Sequence, residues 1–283
     1  MILRLLACSM LVAFQTPPKP AEPAPQTPAP EKVPLMLEKI TRLAPDGVTL
    51  TADFCALPLG GEDRPTFVSF HMENGSRGEF AQIAQRFGEY ACCTLAVDLR
   101  TGKATDGVAN ETAASAASVL KKTSFTNEEA FADVVEGLKW AREMRPNGKV
   151  FALGSGTSAA LVVAAVGRNP TLADAVFLFS PGEDVAGWSI ATEAKAIKVP
   201  TYLTCGGTVQ EAGRARPIGH AIEKKLCRMV IPLNVPSAAR GSAVLVQTDP
   251  AWLERHWSTI ISMILKLAPL TPQGPTEAPT KKV

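Results

Sequence analysis

The run KVFALGSGTSAALVVAAV, residues Lys149–Val166, sets an apolar strand-like segment, a tight Gly/Ser turn and an apolar helical segment end to end. Three chemistries use such a turn. Gly154-x-Gly156-x-x-Ala159 has the glycine spacing of a loop whose backbone N–H groups, at a helix start, cradle a phosphate. A sharp strand-to-helix elbow can instead lift a nucleophilic serine out of a sheet. The third reading is such an elbow with its serine lost. Two serines lie close by. Ser158 can be read as G-x-S-x-A within Gly156–Ala160, but it then falls in the first helical turn, where a hydroxyl ordinarily caps backbone N–H groups. Ser155 precedes the tip and is expected to point away from a cleft.

A serine nucleophile needs a base, an acid that orients it, and donors for the oxyanion. The chain has 3 histidines. His71 follows the apolar run TFVSF and reads as structural. His220, in RPIGHAIEKKL, reads as solvated. His256, in AWLERHWSTIISMIL, reads as a helix-surface or core-edge residue and is the one fallback base. Asp98 and Arg100 are expected to brace loops through ion pairing. Glu73, Asn74 and Glu183 are candidates for a cleft mouth. Trp188, Trp252 and Trp257 read first as core residues, with Trp188, after SPGEDVAG, the best aromatic candidate for a ligand. No cluster of His and carboxylate side chains points to a metal, and no cofactor is expected. The phosphate reading is weak: the loop follows several strands, whereas a dinucleotide fingerprint usually opens its domain, and Glu183 is the residue it would place on a ribose.

Composition narrows the class. The chain has 283 residues, 46% hydrophobic and 20% charged, with a formal net charge of +2. That charge is too small to argue for nucleic acid or a membrane surface, and no basic stripe with interleaved aromatics occurs. MILRLLACSMLVAFQ, residues 1–15, fits a short secretory signal peptide, its apolar run falling short of the roughly 20 residues a membrane span needs. LLAC, ending at Cys8, also matches a lipoprotein cleavage box, although seven preceding residues leave almost no apolar region. Residues 16–34 are Pro/Ala-rich and read as a disordered tether, as does the tail 269–283. One domain, residues 35–268, lies between. Of the 6 cysteines, Cys55, Cys92, Cys93, Cys205 and Cys227 lie outside the leader, with no C-x-x-C, and Cys92, Cys93 and Cys205 read as buried thiols.

Within that domain two strands are expected around Pro45-Asp46-Gly47. TFVSF and CCTLAVDL read as buried strands, with a helix over RGEFAQIAQRFGEY between them. A helix starts near Thr126 with Glu129 completing a capping box. After Lys149–Val166 come strand DAVFLFS, a short helix near Thr192–Ile197, strand TYLTC, a helix over Glu211–Leu226, strand RMVIPL and a last helix, Pro250–Leu267. Buried strands alternating with helices imply an α/β fold: a mostly parallel sheet of about eight strands, antiparallel at its start, with helices on both faces.

The order of SFHMENGSRGEF, AVDLRTGK, GVANETAASA, the GSGTSAAL turn, FSPGED and VPSA resembles the α/β-hydrolase superfamily, specifically its dienelactone-hydrolase-like branch, over Leu35–Leu267. The resemblance implies that Gly154 is the first glycine of the elbow and Gly156 its nucleophile position, where relatives read GSSxSAAL. It puts Arg240 at the histidine position, in VPSAARGSAVL, and the acid position near Thr208, with Glu211 the nearest carboxylate. A glycine offers no nucleophile, and a guanidinium stays protonated and cannot act as a base. The implied oxyanion donors are the N–H groups of Met72 and Thr157, in a loop His71 shapes by hydrogen bonding. The pocket candidates are His71, Glu73, Glu183 and Trp188. The expectation is an exported (periplasmic or extracellular), bacterial pseudoenzyme of the serine hydrolase type, its triad degenerate, binding a small carboxylate, an ester-like ligand or a protein partner. The alternative is an active serine esterase or dienelactone-hydrolase-like enzyme using Ser158.

Overall fold

A computed structural model describes residues 36–56, 63–232 and 239–269. The leader with Cys8, the Pro/Ala-rich segment, the tail from Leu270 on and the VPSA motif lie outside the described residues. Two strands, β1 (Met36–Leu43) and β2 (Thr49–Ala56), form a hairpin turned at Gly47, whose φ of 83° favours glycine. The other long strands are β3 (Thr66–Phe70), β4 (Cys93–Val97), β7 (Val150–Ser155), β8 (Ala175–Phe179), β9 (Thr201–Thr204) and β10 (Cys227–Val230). They make one eight-stranded sheet in the order β1-β2-β4-β3-β7-β8-β9-β10. β2 runs antiparallel to both its neighbours and the remaining pairs are parallel. The expected mixed sheet with an antiparallel start is what folds.

β3, β4, β7, β8 and β9 are buried at every position, which is why they read as unbroken apolar runs. Alternate residues serve opposite layers. Val68, Phe70, Val150 and Ala152 pack with the helices α3 (Asn127–Met144) and α4 (Thr157–Arg168). Phe67, Phe151 and Leu153 pack on the other face with α1 (Ala81–Gly88) and α7 (Pro250–Leu267), where Phe67 stacks on Phe87 at 3.7 Å and Trp257 donates its indole N–H to Leu245 O. α3 opens with the expected capping box: Thr126 Oγ1 accepts from Glu129 N and Glu129 Oε2 accepts from Thr126 N.

Three elements have bounds other than those expected. α5 covers Ile190–Ala194, and α6 covers Val209–Ala221, its start set by Thr208, which caps it two residues earlier than foreseen. β10 ends at Val230. Two further pieces lacked a periodic signal: a two-stranded hairpin, β5 (Ala104–Thr105) with β6 (Val108–Ala109), and α2 (Glu111–Leu120), capped by Asn110.

Candidate functional site

The site lies at the C-terminal ends of the parallel strands. β7 runs through Gly154 and Ser155, so Gly154 is inside the strand rather than after it, and α4 begins at Thr157. Gly156 alone forms the tip of the elbow, at φ 59° and ψ −124°. Gly154 is required by close packing: a Cβ there would lie 2.4 Å from Ala159 Cα. The G-x-G-x-x-A spacing is thus explained by helix–strand contact. Gly156 N donates to Phe179 O and Thr157 N to a carboxylate of this chain, so these two N–H groups are already bonded.

Ser158 is 1% exposed, and its hydroxyl lies 2.6 Å from Phe70 O and 2.9 Å from Ser155 O while accepting from Ser155 N. Its one proton has two carbonyls within reach, and it faces the sheet, not the cleft. Ser155, also buried, accepts the N–H of Ser242 through its hydroxyl. That bond matters for what comes next along the chain. Gly241, at φ 60°, lies so near the elbow that a Cβ would come within 2.3 Å of Ser155 Oγ, and its N–H donates to Ser180 Oγ. Arg240 is thereby carried to the elbow.

Arg240 lies between two carboxylates. Its Nη1 donates to Glu73 Oε1 at 2.7 Å, and its Nε is 3.0 Å from Glu211 Oε1, an ion pair without hydrogen-bond alignment. Glu73 Oε2 in turn accepts from Thr157 N at 3.1 Å and Thr157 Oγ1 at 3.0 Å. A chain of charge, Glu73–Arg240–Glu211, therefore runs from the elbow past the position implied for the base to a carboxylate near the position implied for the acid. Asp184 and Arg214 extend it, Arg214 pairing with Asp184. Burial opposes the charge on Glu73, but its own and the Thr157 backbone N–H, the Arg240 guanidinium and the Thr157 hydroxyl outweigh burial and hold its carboxyl below the usual range. Burial dominates at Asp184 and pushes its carboxyl up, against the pull of Arg214.

The N–H groups of Met72 and Thr157, expected as oxyanion donors, are both hydrogen-bonded within the chain. Met72 N donates to Glu79 Oε2 at 2.7 Å, and Glu79 Oε1 receives the Ser242 hydroxyl at 2.5 Å. Thr157 N carries Glu73. Both donors thus meet carboxylates of the same chain. His71 shapes the loop as expected: Nδ1 lies 2.8 Å from Met72 O and Nε2 accepts from Leu99 N, with Asn110 alongside. It is 1% exposed and lies beneath the cleft rather than in it.

Other candidates are placed elsewhere. Thr208 is spent on the α6 cap, accepting from Glu211 N, so Glu211 and not Thr208 is the group that faces Arg240. Glu183 caps α5, accepting from Ile190 N and Ala191 N, and does not line the cleft. Trp188 lies against Arg168, 4.0 Å from ring centre to guanidinium, and edge-on to Phe131, away from the cleft lining. His256 is not at a helix surface: it is fully buried, with Nδ1 2.6 Å from Tyr202 Oη, and burial lowers its pKa to about 4. Its Nε2 has no hydrogen-bond partner among the described residues. His220 is exposed, as expected. Asp98 braces Arg77, whereas Arg100 pairs with Asp133 and Asp46, so each acts as a brace with a different partner. Cys92, Cys93 and Cys205 are buried thiols, and burial pushes Cys205 up to about 12. Among the described residues no group of three or more His, Cys, Asp or Glu side chains is arranged to hold a metal ion, and no helix is long and apolar enough to cross a membrane. Beside the elbow lies a cleft of about 260 Å³, bordered by Glu73, Glu79, Arg240 and Ser242, with Met72, Ile83, Ala243 and Val246 as its apolar wall.

No protein-family model and no curated protein matches the chain's sequence. Solved structures do match its shape. A dienelactone hydrolase from Anabaena variabilis ATCC 29413 aligns at TM-score 0.61 with 14% identity, over 82% of this chain and 98% of that one. Thermogutta terrifontis esterase 2, in a form phosphorylated by paraoxon, aligns at 0.59 with 17% identity, over 84% and 96%. A Pyrococcus furiosus esterase aligns at 0.59 with 14% identity, over 82% and 92%. The chain has the α/β-hydrolase fold, in the form seen in dienelactone hydrolases and esterases.

Proposed function

We propose that this chain is a catalytically inactive α/β-hydrolase-fold protein, exported by its apolar leader. One observation carries the reading. At the elbow, where the fold holds its nucleophile, stands a glycine, and the group beside it is an arginine bound to two carboxylates. Hydrolysis of an ester by this fold needs an oxygen or sulfur nucleophile, a group that accepts its proton, and open donors for the oxyanion. Gly156 has no side chain. Arg240 is a permanent cation held by Glu73 and Glu211 and accepts no proton. Met72 N and Thr157 N are bonded to Glu79 and Glu73.

The burial of Ser158 argues against the esterase alternative, since its hydroxyl is directed at main-chain carbonyls and no imidazole is near it in its bonds. The test is labelling with a fluorophosphonate serine probe, alongside p-nitrophenyl acetate and butyrate as ester substrates. The expected result is no labelled protein and no turnover above a buffer blank. Labelling that Ser158→Ala abolishes would overturn the reading. Export is checked separately, by the N-terminal sequence of the protein recovered from its host: cleavage near residue 15 is expected, and an intact N-terminus at Met1 counts against it.

A further inference from the structure

The sheet ends in two unlike edges. β10 has 4 residues, too short to offer much pairing, whereas β1 runs for 8, without proline and in unbroken register with β2. Ala44 N donates to Val48 O, so the alternate residues Arg42, Ile40 and Glu38 turn their backbone N–H and C=O toward β2. Leu37, Lys39, Thr41 and Leu43 turn theirs outward, where no strand among the described residues takes them. Leu37 and Leu43 are 62% and 70% exposed, on the face from which Lys39 reaches Glu111 of α2. Ile40 lies on the other face, half-buried against the core that α3 covers. Charged side chains protect an edge when they stand in a newcomer's path. Here Glu111 draws Lys39 back over its own domain, and Glu136 and Glu143 do the same for Arg42.

Outward from Ile40, the run Leu37-Glu38-Lys39-Ile40-Thr41-Arg42-Leu43 is close to self-complementary. We propose that β1 pairs with β1 of a second copy of this chain, antiparallel about a two-fold axis at Ile40, joining the two sheets edge to edge. In this register Leu37 stands opposite Leu43 of the second copy, Lys39 opposite Thr41, Glu38 opposite Arg42 and Ile40 opposite Ile40. Every outward-facing residue then meets an outward-facing one, and the ladder closes with two hydrogen bonds at each such pair. Ile40 meets its copy at a non-hydrogen-bonded position, where facing side chains approach most closely. Glu38 reaches a guanidinium that gives three of its five N–H groups to Glu136 and Glu143. Other registers lose the match. An axis at Lys39 sets Lys39 against Lys39, and an axis at Thr41 sets Ile40 against Arg42. An axis between residues puts outward groups against inward ones and forms no ladder. The contact is isologous, so it closes as a dimer and leaves no β1 edge free. It does not depend on whether the elbow turns anything over.

A single strand pair is a small interface, so association is weak, with a Kd on the order of 10 µM. Sedimentation velocity on the full chain, from about 1 to about 200 µM, should show the mass rise from one chain to two. Thr41→Pro removes an N–H that faces solvent in the monomer and bonds in the ladder, and should weaken association roughly tenfold or more. Leu37→Glu/Leu43→Glu changes exposed side chains alone and sets like charges opposite each other. It should stay monomeric throughout, and it serves if Thr41→Pro does not fold. Ile40→Cys reports the register: its two thiols face each other at a Cα separation of about 4.5 Å and should form a disulfide-linked dimer under mild oxidation. Leu37→Cys should not, since its two copies lie about 20 Å apart along the ladder. The wild-type chain, whose described cysteines are buried or half-buried, is the oxidation blank. A wild-type chain that is still monomeric at about 200 µM overturns the inference, as does a dimer that both strand variants leave intact. Cross-linking through Leu37→Cys and not through Ile40→Cys overturns the axis at Ile40.

Discussion

Gly156→Ser, which puts a hydroxyl where the resemblance implies a nucleophile, should destabilise this protein and bring no esterase activity. At φ 59° and ψ −124° any residue but glycine is strained, which costs about 1–3 kcal/mol. A Cβ at residue 156 would also sit 2.6 Å from Glu73 Oε2 and 2.6 Å from Met72 Cγ. Both are flexible side chains, so the clash is relieved by rotation. Rotating Glu73, however, breaks its bonds to Thr157 and Arg240, and bonds to charged groups are worth roughly 1.5–3 kcal/mol when buried, about 1 at this half-exposed position. The sum is about 2–4 kcal/mol, which for a domain of this size lowers Tm by roughly 4–16 °C. Thermal unfolding followed by circular dichroism measures it. A double-mutant cycle isolates the contact: in a Glu73→Gly background, Gly156→Ser should cost about 1 kcal/mol less. Esterase activity should stay at background in every variant that keeps Arg240, since that residue takes no proton. A Tm for Gly156→Ser within 1 °C of wild type would refute the strain, and an equal cost with and without Glu73 would refute the contact.

Ser158→Ala should destabilise by about 1–2 kcal/mol in chemical denaturation, because it leaves the Ser155 N–H and one of the two carbonyls within reach of the hydroxyl proton short of a partner; a neutral effect would mean the hydroxyl is not a structural link. The carboxyl of Glu73 has a folded pKa below its unfolded value of about 4.3, so it adds stability above that pH and gives it up as pH falls through the folded value. Glu73→Gln should accordingly flatten the acid limb of a stability–pH curve, and an unchanged limb would count against the ion pair. His256 has the opposite sense of charge. Buried neutral, with its pKa lowered to about 4 from an unfolded value near 6.5, it leaves stability intact above pH 6.5 and removes of the order of 3 kcal/mol as pH falls to 4. His256→Gln should abolish that slope in urea titrations run between the two pH values; if the slope persists, another group produces it.

Much of the fold was legible because its strands are buried on both faces. TFVSF, CCTLAVDL, KVFALGS and DAVFLFS are short apolar runs with turn signals and helical segments between them, the pattern of a parallel sheet covered on both faces. The last helix covers the expected Pro250–Leu267, and the structure opens it with the Asp249 cap and with Pro250 in its first turn. The β5–β6 hairpin and α2 were not legible, since two-residue strands carry no period and the Ala/Ser-rich α2 has no apolar stripe. Thr208 and Glu211 show the finer difficulty. Both follow β9, and whether the hydroxyl or the carboxylate faces Arg240 depends on where α6 starts, which its N-cap decides.

The sequence by itself determined which atoms are lacking: a glycine at Gly156 and an arginine at Arg240 hold no nucleophile and no base, whatever surrounds them. Tertiary structure alone decided what fills the space. Glu73 is separated from Thr157 by 84 positions and from Arg240 by 167, so no local pattern marks the three as partners. They meet because Gly154 lets α4 close on β7, and because Gly241 lets the following loop rest against Ser155. Those are packing contacts between distant segments, and they become visible once the sheet has brought its strand ends together.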